Sequence, residues 1–244
     1  AGSILKQTGI KEGFCLVLGA GQGRLAYELA SRSGLVVYAV DADERKVRAA
    51  RETLLPTGLY GPRITVDHLD LAVLPYASYF ANLIVSDSLL LTGQVPGNPV
   101  EVARRLKPIG GVLCLGVPDA APAEVKSKAA KSIPAWLAAT KLAAEHARIT
   151  PAGGWSLLAR GSLPGAGSWS HQYANPGNTS STEDYRVKDG LSVLWYGEPG
   201  PGKMVNRHAG AVGPVSVNGR LFIQGDETIM AYDAYNGLRL WERE

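Results

Sequence analysis

The stretch Phe14-Cys15-Leu16-Val17-Leu18-Gly19-Ala20-Gly21-Gln22-Gly23-Arg24 governs the reading of the first half of this 244-residue chain. Phe14 to Leu18 is an apolar run with the character of a buried parallel strand. Arg24-Leu25-Ala26-Tyr27-Glu28-Leu29-Ala30 carries the i, i+4 apolar spacing of an amphipathic helix. Between them the backbone must turn sharply and approach something closely, and glycine permits both. The helix that follows begins with unpaired N–H groups and the positive end of its dipole. Such a turn can hold a phosphate, a carboxylate or a nucleoside. Taken alone, it is equally a device for packing a helix on a strand.

The spacing narrows this. A dinucleotide-binding turn, G-x-G-x-x-G, would place its third glycine at position 24, where Arg24 stands; the third glycine comes one residue early, at Gly23. A second β-branched strand, Leu35 to Val40, ends in Asp41, 20 residues past Gly21. An acid at that strand tip can accept both hydroxyls of a ribose. Gly19-x-Gly21-x-Gly23 resembles motif I of class I S-adenosylmethionine (SAM)-dependent methyltransferases. The resemblance implies a Rossmann-like, doubly wound α/β sheet, with Gly19, Ala20, Gly21 and Gly23 along the cofactor and Asp41 on its ribose.

Further segments follow in the same order. Leu69-Asp70-Leu71-Ala72-Val73-Leu74-Pro75-Tyr76 resembles the methyltransferase segment whose aspartate accepts from the adenine amino group, which gives that role to Asp70. Ala81 to Asp87 reads as the fourth strand, and its carboxyl end makes Ser86 and Asp87 the substrate-facing candidates. Phe80-Ala81-Asn82 departs from the family's usual Phe-Asp there. Val102 to Gly111 resembles the helix-turn ending Leu-Lys-Pro-Gly-Gly, with Ile109 inserted. Ser3 to Thr8 reads as a short first helix, and Asp43 as the cap of a helix stopped by Pro56. An alanine-rich helix spans Ala123 to Ala147, interrupted at Pro134. An antiparallel pair, Ala147 to Thr150 and Trp155 to Ala159, closes the sheet.

Catalysis is less legible. The family's motif I carries an acid two residues before its first glycine, and here that position is Val17. No Asn-Pro-Pro-Tyr, Asp-Pro-Pro-Tyr or Pro-Cys segment is present, so the catalytic residue is unassigned. Asp87 and His68 are the candidate acid/base groups, though each is more often a capping or surface residue. Methyl transfer needs no base in principle, because the sulfonium is already activated and alignment supplies much of the rate.

Composition is globular, with 45% hydrophobic and 19% charged residues. The net charge of +3 is small, and Lys126, Lys128 and Lys131, the densest basic group, read as a solvated helix face rather than a nucleic-acid surface. Cys15 and Cys114 lie in separate apolar strands and read as buried thiols. His171 and His208 have no second ligand at metal-like spacing, so no metal site is expected. No stretch is long and apolar enough to span a membrane, and no signal peptide is visible at Ala1.

From Gly161 the composition changes. The expected organisation is a methyltransferase-like domain over 1–160, a Gly/Pro/Ser-rich linker over 161–184 and an all-β segment over 185–244. Pro214–Val217, Arg220–Gln224, Thr228–Asp233 and Leu238–Trp241 alternate, with Asn218-Gly219 and Asn236-Gly237 as hairpin signals. Trp195 and Trp241 lie 46 residues apart, within similar Gly-Leu-x-x-x-Trp and Gly-Leu-Arg-Leu-Trp contexts, the period of a propeller blade. Ala231 to Trp241 resembles the blade repeat of pyrroloquinoline quinone (PQQ)-type propellers, and Trp169-Ser170-His171 and Asn175 to Thr179 resemble the lead-in to such propellers after a methyltransferase-like domain. A lone blade leaves edges unsatisfied. The remaining blades, from the same or another chain, are therefore the expected partners, and PQQ ligands are not assignable here. Two functions stay open: SAM-dependent methyl transfer, or a catalytically silent methyltransferase fold serving a propeller of quinoprotein or protein-interaction type. The compartment divides likewise, cytoplasmic if SAM is used and exported to the cell envelope if the propeller governs.

Overall fold

Alternation along the first strand, β1 (Glu12–Leu18), builds both layers of the first unit. Cys15 and Val17 point into one apolar cluster while Leu16 and Leu18 point into another, as the two-residue period of a strand requires. The computed structural model describes all residues except 143–146, 153, 189, 207 and 209, and it divides into units Ala1–Gly161 and Ser162–Glu244.

In the first unit β1 pairs in parallel with β2 (Gly34–Asp41) and β4 (Leu83–Ser86). β3 (Ile64–His68) adds to β2, and β5 (Val112–Gly116) adds to β4. β6 (Arg148–Ala152) and β7 (Trp155–Ala159) close the sheet antiparallel, giving the order β3-β2-β1-β4-β5-β7-β6. Pro151 is accommodated because β6 is an edge strand.

Helices α1 (Gly2–Thr8), α2 (Arg24–Ser31) and α3 (Glu44–Leu54) cover the first face; α2 buries Leu25, Ala26, Leu29 and Ala30 there. Helices α4 (Asp87–Thr92), α5 (Pro99–Arg105) and α6 (Ala123–Ala139) cover the second. The strand order reverses between β1 and β4, and at such a switch point loops diverge and leave a crevice outside the carboxyl ends.

Two local expectations are revised. Pro134 does not interrupt α6, which runs through it; Pro134 and Ala130, whose carbonyl loses its helical partner, are both exposed, so water can satisfy that carbonyl. The helix ends at Ala139 rather than Ala147, and residues 143–146 of that reading lie outside the described residues. Ile109 bends back in a left-handed conformation at φ 51°, and its N–H reaches the Gly161 carbonyl at 3.1 Å. Cys15 and Cys114 are free and buried; burial holds the Cys114 thiol up at about 12.

The second unit contains a four-stranded antiparallel sheet, β8 (Val215–Val217), β9 (Arg220–Gln224), β10 (Ile229–Asp233) and β11 (Arg239–Arg243), ordered as a meander. Asn218 and Gly219 both have positive φ, as a two-residue hairpin demands. Gly237 is needed against the Trp195 ring, which a Cβ would overlap, and the Trp195 Nε1–H donates to the Ala234 carbonyl at 3.0 Å. Most of the stretch read as a linker groups with this unit. Trp169 and Ser216 of β8 exchange backbone hydrogen bonds of 2.7 and 2.8 Å. Asp189, in the tryptophan repeat, lies outside the described residues.

Candidate functional site

The glycine turn is tied to the tip of β2. Gly19 N–H donates to the Val40 carbonyl at 2.7 Å, Ala20 N–H to Asp41 Oδ2 at 3.0 Å, and Gly23 N–H to the Ala20 carbonyl at 2.8 Å. Asp41 Oδ1 accepts the Asp43 N–H at 2.9 Å, and Asp41 is only 7% exposed. Each carboxylate oxygen thus accepts one backbone N–H and keeps capacity for another donor.

Asp70 lies just beyond β3, exposed, with Oδ1 accepting the Ala72 N–H at 2.8 Å. The Leu69 N–H donates to the Asp41 backbone carbonyl at 3.1 Å, so the turn bearing Asp70 is fastened to the residue bearing the other candidate acid. Both lie at the carboxyl-end edge of the sheet, after neighbouring strands β2 and β3, and Asp41 touches the glycine turn. His68 ends β3, exposed, and its Nε2 lies 3.0 Å from the Ala42 carbonyl, a pairing that needs the proton on Nε2.

At the tip of β4 the two substrate-facing candidates differ. Ser86 is buried, and its hydroxyl is committed twice, donating to the Leu18 carbonyl and accepting the Leu89 N–H, both at 3.1 Å. It caps α4 and joins β4 to β1. Asp87 is half-buried, and burial, then the negative charge of Asp41, raises its pKa above the ordinary carboxylate value.

The glycines accommodate protein atoms as well as open space. A Cβ at Gly19 would overlap the Ser88 hydroxyl, and one at Gly21 would overlap the Asp87 carboxylate. Gly23 differs: the space beside it is taken by the Leu54 side chain of α3, at 2.9 Å from a Cβ placed there. Only a residue without a side chain lets α3 pack this closely against the turn.

Beside Gly21 opens a cavity of about 670 Å³, lined among others by Gln22, Arg24, Glu28, Arg32, Asp87 and Leu91. That volume lies within the ~300–1,000 Å³ typical of small-molecule pockets. The sequence reading missed Glu28 and Arg32, which pair across one helical turn of α2 at 2.6 Å. Arg24 had a signal, since it displaces the third glycine of the dinucleotide pattern. Val17 is buried at 1% exposure in the apolar cluster with Cys15, Val37 and Val85. Among the described residues no three His, Cys, Asp or Glu side chains are grouped to hold a metal ion.

Residues 15–110 match the family described as a methyltransferase domain. A SAM-dependent methyltransferase from Aquifex aeolicus is similar in structure, with 19% identity, a TM-score of 0.50, and coverage of 64% of this chain and 87% of that one. A proposed SAM-dependent methyltransferase from Methanococcus maripaludis is similar at 22% identity and a TM-score of 0.49, over 66% of this chain and 84% of that one. No curated protein matches the chain. The first unit has the methyltransferase-type Rossmann-like fold, with a mixed seven-stranded sheet.

Proposed function

We propose that this methyltransferase-type unit binds SAM, with the glycine turn (Gly19, Ala20, Gly21, Gly23) along the cofactor, Asp41 at the ribose and Asp70 at the adenine. Bound SAM supplies a methyl group already activated on sulfur; the chain's contribution is to bind it, align it and shield it from water. The observation that supports this most is the 3.1 Å bond from Leu69 N–H to the Asp41 carbonyl, which fastens the turn bearing Asp70 to the tip of β2. The residues suit the group: Asp41 retains free acceptor capacity, one Asp70 oxygen has no backbone donor, and a cavity of about 670 Å³ opens beside Gly21.

Calorimetric titration of the full chain with S-adenosylhomocysteine tests this. Saturable micromolar binding is expected, weakened at least tenfold in Asp70→Ala, whose exposed side chain can be removed with little effect on the fold. No heat at millimolar ligand refutes it.

A second reading has its own support. Val17 removes an acid from the turn's approach, and no acceptor-binding motif is present; both favour a silent platform. On either reading we infer that residues 185–244 form one blade of a PQQ-like propeller, completed by blades from the same or another chain. The meander order, the Asn218-Gly219 turn and the Trp195–Gly237 contact support this. Methyl-transfer activity against a small-molecule and protein extract would favour the enzyme; ligand binding without turnover would favour the platform.

A further inference from the structure

Of the two acids lining the cavity beside Gly21, one is already neutralised. Glu28 is paired with Arg32 at 2.6 Å. The other, Asp87, takes no hydrogen bond among the described residues, is half-buried, and lies so close to the glycine turn that a Cβ on Gly21 would overlap its carboxylate. Arg24, the first residue of α2, lines the same cavity from an exposed position. An uncompensated carboxylate and a guanidinium thus border one space. That layout complements a zwitterion, whose ammonium would meet the acid and whose carboxylate would meet the arginine and the first N–H groups of α2.

We propose that Asp87 binds the α-ammonium of the cofactor's amino-acid end, with Arg24 receiving its α-carboxylate. This rests on the SAM-binding reading and adds the residues that distinguish a complete cofactor from a bare adenosine thioether. The position where an acid would be expected on the turn itself is Val17, sealed in the core, so the charge is delivered from α4 instead. Burial and the nearby Asp41 both disfavour ionised Asp87, and an ammonium placed against it would offset both. Gly21 is what makes the arrangement possible, because any larger residue would displace the carboxylate.

The experiment is calorimetric titration of the full chain with two ligands. S-adenosylhomocysteine retains the amino-acid end; 5′-methylthioadenosine keeps the adenosine and sulfur but lacks it. The wild type is expected to bind the first at least tenfold more tightly. Asp87→Asn should bring that affinity down to the level of methylthioadenosine while leaving methylthioadenosine within twofold of wild type, which also certifies the variant's fold. Arg24→Gln should lower the same preference by a smaller factor. Equal wild-type affinity for both ligands, or Asp87→Asn weakening both alike, overturns the proposal and leaves the cofactor reading standing. Binding of neither ligand by the wild type overturns both.

Discussion

The Asp41 carboxylate accepts the Ala20 N–H at 3.0 Å, joining two residues 21 positions apart in the chain. A side chain placed to meet a ribose is therefore also the clamp that holds the glycine turn against β2. Asp41→Ala would strand the buried Ala20 N–H and release the Asp43 N–H, for a loss of about 1–3 kcal/mol of stability. Asp41→Asn, which keeps one acceptor oxygen, should lose less. Urea denaturation followed by intrinsic fluorescence measures both, and an alanine variant as stable as wild type would dispose of the clamp.

Gly21 has φ 49° and no room for a Cβ beside Asp87. Gly21→Ala is expected to destabilise by about 1–3 kcal/mol through backbone strain and the clash together. Combining it with Asp87→Ala should recover part of that loss, because the clash is removed while the strain stays. A double-mutant cycle with zero coupling would show that the two residues do not press on one another.

The raised pKa of Asp87 makes a signed prediction about pH. The folded protein holds this proton more tightly than the unfolded chain does, so stability rises as pH falls through the carboxylate range. Charged Asp87, near Asp41 and sharing its cavity with Glu28, Arg24 and Arg32, subtracts from stability at neutral pH through its burial and the Asp41 charge. Asp87→Asn should therefore melt higher than wild type at pH 7, and the gap should close below the unperturbed value of about 3.9. Melting curves at stepped pH read this directly; a gap that widens on acidification contradicts it.

Ile109 is a β-branched residue at φ 51°, in the turn between α5 and β5. A left-handed conformation costs such a residue roughly 1–2 kcal/mol, and glycine avoids that cost. Ile109→Gly is expected to stabilise the first unit by about 1 kcal/mol, set against the greater chain entropy of glycine. Chemical denaturation checks the sign, and a lower midpoint would mean that Ile109 packing outweighs its strain.

The second unit's buried cluster, among the described residues, is Ile223, Met230 and Tyr232, with Leu221 packed against it. So small a core is expected to leave residues 185–244, expressed alone, without a cooperative thermal transition. Removing 161–184 also removes the Trp169–Ser216 pairing. A monomeric fragment with a sharp melt and dispersed amide resonances would refute the expectation.

The sheet and its helices were readable from the chain because their signals are local. Apolar residues alternate along β1, recur at helical spacing along α2, and break at glycines where the chain must turn. Asp41 follows from the same logic, since a position at the end of a strand is a position at the sheet's edge; Asp70 is assigned only through the resemblance of Leu69 to Tyr76 to the methyltransferase segment. Asn218-Gly219 marked its hairpin for an equally short-range reason, the positive φ of both residues.

What the linear pattern could not carry was which distant side chains share a space. Ser86 looked available at the end of β4, yet its hydroxyl is spent on Leu18, 68 residues earlier, because β1 and β4 lie side by side. Nor could the linear pattern show that Ser88, Asp87 and Leu54 stand against the glycines where a Cβ would be, brought there by helices from separate stretches of chain. Pro134 looked like an interruption of the helix and is tolerated because its side of α6 faces water. Periodicity encodes what each segment prefers; the packing of segments far apart in the chain settles which polar atoms are satisfied and which, like the Asp87 carboxylate, are left facing a cavity.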